Sequence, residues 1–145
     1  MTRKELALDY FSQKHYHCSQ SVFAAYAQEL GLTEEQALRV SAAFGCGGRK
    51  GELCGACVGA LMVIGMRHGQ YRLEDTDRRQ TTNDRTIAFM DAFTRANGAC
   101  RCSDLLGHDV ATSEGFAAAL EANLFRTRCA DIVASAVELL EQVEG

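Results

Sequence analysis

Leu53-Cys54-Gly55-Ala56-Cys57-Val58-Gly59-Ala60-Leu61-Met62-Val63-Ile64-Gly65-Met66 is a run of 14 residues without a charge. A helix that crosses a bilayer needs about 20 such residues. A shorter run that is apolar on every side predicts instead a buried central helix, over about 53–68. Gly55, Ala56, Gly59 and Ala60 open a small-residue face on it, suited to close approach of a neighbour. No membrane span is expected.

Outward from this helix, apolar residues recur at steps of three and four, and no window alternates polar and apolar residues. With no proline in the chain, the pattern predicts an all-α fold: a single-domain antiparallel helical bundle over residues 1–145, with about five main helices plus short helical turns. The first helix, about 3–13, carries Leu6, Ala7, Tyr10 and Phe11. The second, about 19–30, carries Val22, Phe23, Tyr26 and Leu30, and Gly31-Leu32 stops it. Thr33-Glu34-Glu35-Gln36 is a capping box opening a third, with Ala37, Val40 and Phe44 inward. Gly45-Cys46-Gly47-Gly48-Arg49-Lys50-Gly51 then forms a loop, because each interior helix glycine costs about 1 kcal/mol. Beyond the central helix, Asn83 caps a helix over about 83–97 with Ile87, Met90 and Phe93 inward, and Asn97-Gly98 ends it. A turn at 104–106, a helix near 113–123 led by Ser113 and a last helix near 129–143 complete the chain.

At 145 residues, one core can bury about two-thirds of the unfolded surface without disulfide staples. The net charge of −4 includes no basic cluster larger than Arg49-Lys50 or Arg78-Arg79, which excludes a footprint for nucleic acid. The N-terminal stretch Met1-Thr2-Arg3-Lys4-Glu5-Leu6 is amphipathic rather than a secretory leader, so a cytoplasmic location is expected. There thiols stay reduced, and seven cysteines (18, 46, 54, 57, 100, 102, 129) point to metal binding or redox chemistry rather than to a disulfide scaffold.

Cys18, Cys54, Cys102 and Cys129 each stand at or just before a predicted helix start. A helix N-terminus carries about half a positive charge, which lowers a thiol's pKa and favours the thiolate. Short loops between antiparallel neighbours put Cys18, Cys54 and Cys102 at one pole; Cys129 joins them if the 113–123 helix is short or lies crosswise. Cys54-Gly55-Ala56-Cys57 is a C-x-x-C at a helix start, where the first thiol attacks and the second resolves. Its ordinary alternative is helix packing for Cys57. His15 and His17 ahead of Cys18 suit metal ligation, thiol activation or a solvated loop. Glu52 suits a helix cap or an acid/base role, and Arg49 and Lys50 suit thiolate stabilisation or solvent.

These stretches, from Tyr16-His17-Cys18-Ser19-Gln20-Ser21-Val22 through Phe44-Gly45-Cys46-Gly47-Gly48 and Gly51-Glu52-Leu53-Cys54-Gly55-Ala56 to Cys102, Leu105-Leu106-Gly107 and Cys129, resemble the family of redox-active proteins labelled C_GCAxxG_C_C. The resemblance implies a helical fold and a hallmark set of Cys18, Cys54, Cys102 and Cys129, with Cys46, Cys57 and Cys100 as additions. The Gly-Cys-Ala order of the label stands here as Cys-Gly-Ala.

Three readings follow. Cys18, Cys54, Cys102 and Cys129 could bind an iron-sulfur cluster, most simply 2Fe-2S, or zinc, since four thiolates suit either. In the second, without a metal, the chain is a thiol-disulfide oxidoreductase in which Cys54 attacks and Cys57, Cys18 or Cys102 resolves. In the third it is a helical interaction module with cysteines as packing. The first two require a redox partner that the sequence does not name, and it is equally silent on oligomeric state.

Overall fold

A computed structural model describes residues 1–144 of the chain; the last residue of the expected 1–145 domain lies outside them. The all-α expectation is met. The described residues form eight α-helices in the order α1 (Arg3–Leu8), α2 (Cys18–Ala24), α3 (Glu34–Val40), α4 (Gly55–His68), α5 (Thr76–Asn97), α6 (Cys102–Leu106), α7 (Ser113–Glu121) and α8 (Arg128–Glu144). Among the described residues there is no strand, only a single bridge between Leu53 and Arg101, and no helix long and apolar enough to cross a membrane.

The central helix is α4. Ala56, Cys57, Ala60, Val63 and Ile64 are fully buried in it, and burying a side chain such as Val63 or Ile64 contributes about 1.5–3 kcal/mol. Its glycines decide its closest neighbour. A Cβ on Gly59 would lie 2.8 Å from the Ser19 carbonyl oxygen and 3.0 Å from Val22 Cβ, and one on Gly55 would lie 2.6 Å from Cys18 Sγ. Helix α2 therefore rests on the small face of α4. The buried serines on α2 make that contact possible: Ser19 Oγ donates to the Ser41 carbonyl at 2.8 Å and Ser21 Oγ to that of His17 at 2.8 Å.

Helix α8 closes the other side of the core with Ile132, Val133, Val137 and Leu140, all buried. Tyr26 is fully buried, and its hydroxyl donates to Glu141 at 2.8 Å. At the same end Glu144 receives Arg67 at 3.2 Å, His68 at 3.0 Å and Arg85 at 3.4 Å. His68 is thus part of a polar clasp joining α4, α5 and α8.

Several sequence expectations need correction. Helix α5 begins at Thr76 rather than at an Asn83 cap. Its start is anchored by Arg78, which donates to the carbonyls of Gly69 at 3.1 Å and Arg67 at 3.2 Å. Its inward face carries Phe89 and Phe93, both fully buried, while Ile87 is 61% exposed. Val40 and Phe44 also face outward: the third helix buries Ala37 and ends at Val40, and the 3-10 turn over Ala42–Phe44 takes Phe44 out of its phase. The first helix loosens into a π-helical turn over Asp9–Gln13. The second is α-helical only to Ala24, its last residues winding more tightly through bonds such as Tyr26 N–H to Phe23 O at 3.0 Å. The capping box at Thr33 is present, with Gln36 N–H donating to Thr33 Oγ1 at 3.1 Å and Thr33 N–H to Gln36 Oε1 at 3.0 Å.

Candidate functional site

The four helix starts named from sequence are real ones. Cys18 is the first residue of α2, Cys54 caps α4, Cys102 is the first residue of α6 and Cys129 the second of α8. A cavity of about 300 Å³ gathers all four and adds Cys46. Its walls are otherwise mostly apolar, with Phe11, Leu105, Leu106, Phe116, Phe125 and Ile132 among them. His15 and His17 border it, as do two guanidinium groups, each laid over an aromatic ring: Arg126 on Phe11 at 4.5 Å and Arg49 on Phe116 at 5.5 Å. Arg126 also lies 3.1 Å from His15 Nδ1.

Backbone pairing sets the positions of Cys54 and Cys102. Cys54 N–H donates to the Cys100 carbonyl at 2.9 Å, and Cys102 N–H donates to the Glu52 carbonyl at 2.7 Å. The two residues thus flank the bridge on its two sides, and both line the cavity. The cap expected of the Glu52 carboxylate is not made, since that group pairs with Arg101 at 3.3 Å.

Within the cavity the thiols associate in pairs. Cys18 and Cys54 perturb each other's ionisation, as do Cys54 and Cys57 and, separately, Cys46 and Cys102. Cys57 is fully buried and does not line the cavity, nor does Cys100. Among the described residues no group of three or more Cys, His, Asp or Glu side chains is placed to hold a metal ion.

The electrostatics overturn one expectation. Cys18 is pushed well up by its hydrogen bond with Cys54 and by burial, although backbone hydrogen bonds from Ser19 and Cys46 pull the other way. The bond with Cys18 pulls Cys54 down, yet its bond with Cys57 and its burial carry it up to about 12. Burial and the nearby Cys18 and Cys46 thiols raise Cys129 to about 12. Cys102 is raised by its hydrogen bond with Cys46 and by burial. Placement at a helix start therefore does not turn these four into ready thiolates.

The thiol held low is Cys46, which begins no helix. The hydrogen bond with Cys102 and the Arg49 guanidinium bring it down to about 7 against the effect of partial burial. The sequence reading had set Cys46 aside as an addition. Its one local sign is a side chain retained between Gly45 and Gly47-Gly48, in a stretch otherwise stripped to backbone.

A family model described as "Putative redox-active protein (C_GCAxxG_C_C)" matches residues 16–143. No curated protein and no solved structure matches the chain.

Proposed function

The chain belongs to the C_GCAxxG_C_C family of redox-active proteins, and from that premise we propose that it is a thiol-disulfide redox protein whose working dithiol is Cys18 and Cys54. The observation that carries this reading is their contact. The Cys18 sulfur is seated over Gly55, the residue next to Cys54, where a Cβ would come within 2.6 Å of it, and both thiols line the same cavity. Oxidation joins the two sulfurs and releases two electrons and two protons to a redox partner. Reduction by a partner dithiol reverses the step. Cys57, bonded to Cys54 from below, is a second thiol within reach of the same sulfur. Such a couple suits a compartment that keeps thiols reduced, in keeping with a cytoplasmic location.

The test is to equilibrate the anaerobically purified protein with glutathione buffers of graded potential, quench with acid, alkylate and map the peptides by mass spectrometry. A Cys18–Cys54 disulfide that titrates as a two-electron couple, and is lost in Cys54→Ser, is expected. Stoichiometric iron or zinc, removed by Cys18→Ser or Cys54→Ser with no disulfide at any potential, would overturn the reading in favour of a metal centre.

A further inference from the structure

We propose that Cys46 and Cys102 form a second dithiol at the mouth of the same cavity, and that it exchanges with low-molecular-weight disulfides carrying carboxylate groups. The proposal rests on the reading of the cavity as a thiol-disulfide site and assigns its entry point.

Three observations support it. The first is backbone conformation. Cys46 lies at φ 55°, followed by Gly47 at 61°, Gly48 at 65° and Arg49 at 65°, a left-handed turn of four successive residues. Such a conformation costs an L-residue with a Cβ about 1–2 kcal/mol. Glycine would avoid that cost at 46 as it does at 47 and 48, so the side chain is kept there against the local preference. Costs of this kind collect at functional positions.

The second is shared anchoring. Glu52 N–H donates to the Gly47 carbonyl at 3.1 Å, and the Glu52 carbonyl accepts from Cys102 N–H at 2.7 Å. One residue thus ties the turn carrying Cys46 to the helix start carrying Cys102, and the two side chains pack in one cluster and line the same cavity. The third is access. Cys102 is 8% exposed, whereas Cys46 is only partly buried at the rim. The outer sulfur can be attacked from solvent or attack outward; the inner one can only follow.

The charge of the rim selects the partner. Arg49 and Arg126 line the cavity and no carboxylate does so among the described residues, which favours an anionic guest. A volume of about 300 Å³ is at the small end of the range for small-molecule sites. In the exchange, Cys46 Sγ attacks one sulfur of R–S–S–R, forms a mixed disulfide and expels R–S⁻, which takes a proton. Cys102 Sγ, losing its proton, attacks the Cys46 sulfur and expels the second R–S⁻. The protein gains a Cys46–Cys102 disulfide, and two electrons and two protons leave as two R–SH.

The experiment treats the full chain anaerobically with oxidised glutathione, and in parallel with cystamine, a cationic disulfide, followed by acid quench, alkylation and peptide mapping. The wild type should yield a Cys46–Cys102 disulfide, and Cys102→Ser should trap glutathione on Cys46. Thiol loss in Cys46→Ser should be at least tenfold slower, and cystamine should react more slowly than glutathione disulfide with the wild type. A Cys18–Cys54 disulfide with Cys46 still alkylatable overturns this inference and leaves the proposed function standing. A Cys46–Cys102 disulfide with Cys18 and Cys54 free at every potential does the reverse. Cystamine reacting as fast as glutathione disulfide overturns the assignment of an anionic substrate. Circular dichroism of each variant identifies rate changes that come from misfolding, and the wild-type maps decide the pairing without any variant.

Discussion

The contact between α2 and α4 can be tested by one substitution made at two places on one helix. Gly59→Ala and Gly65→Ala each remove a helix glycine, which by propensity alone stabilises by up to about 1 kcal/mol. At Gly65 the new methyl meets nothing within 4 Å, so that gain should survive. At Gly59 it lies 2.8 Å from the Ser19 carbonyl oxygen, 3.0 Å from Val22 Cβ and 3.3 Å from Phe23 N. Two of these are backbone atoms that cannot rotate away, so α2 must shift as a body. Overpacking of this kind costs about 1–3 kcal/mol, leaving Gly59→Ala destabilised by up to about 2 kcal/mol. The two variants should therefore differ by about 1–3 kcal/mol, read from urea melts by far-ultraviolet circular dichroism under reducing conditions. Equal midpoints for the two variants would refute the close-packed contact that seats Cys18 over Gly55.

Two further outcomes are expected. Iodoacetamide should modify Cys46 with a rate that rises through a midpoint of about pH 7, while Cys54 and Cys129, both raised to about 12, react only in strong alkali; peptide mapping of time courses from pH 6 to 10 checks this, and a Cys54 rate equal to that of Cys46 at pH 7 contradicts it. Because the folded-state value of Cys46 is depressed, its contribution to stability is present above the unfolded thiol's value and is lost as pH falls through about 7. Thr33→Ala, which removes the hydroxyl accepting from Gln36 N–H at 3.1 Å, should cost about 1 kcal/mol in the same urea melts, and an unchanged midpoint would count against the capping box.

The parts of the fold that were legible in the sequence are those where periodicity and burial coincide. The α4 run, the Thr33 box and the stripe of Ile132, Val133, Val137 and Leu140 each announce themselves because the residues that bury are also the residues that repeat. Helix α5 was read seven residues short because Thr76-Asp77-Arg78-Arg79-Gln80-Thr81-Thr82 has no apolar phase. Its first turns are held by Arg78 on the α4 terminus and by hydroxyls returned to its own carbonyls, Thr82 to Arg78 at 2.9 Å and Thr86 to Thr82 at 2.8 Å. Neither device leaves a periodic trace. Helix-start placement and topology brought Cys18, Cys54 and Cys102 to one pole, and the cavity also takes in Cys129 because α7 is only nine residues long. Cys46 escaped because its position depends on a left-handed turn, and no pattern along the chain tells which way such a loop aims a side chain.

The ionisation of the thiols was misjudged for a reason of magnitude. A helix N-terminus favours an adjacent anion by about 0.3–1 kcal/mol when exposed and up to about 2 when partly buried. Taking an unpaired charge out of water costs several kcal/mol, and Cys54 and Cys102 are only 6% and 8% exposed. Neighbouring thiols and burial together outweigh the dipole and keep these sulfurs protonated. What the helix starts contribute is position: a first-turn residue is held at a fixed place by the helix behind it, so four separate helices deliver four thiols to one cavity with little freedom. Exposure alone does not decide which thiol ionises, since Cys18 and Cys129 are only partly buried as well; what sets Cys46 apart is the Cys102 thiol and the Arg49 guanidinium beside it.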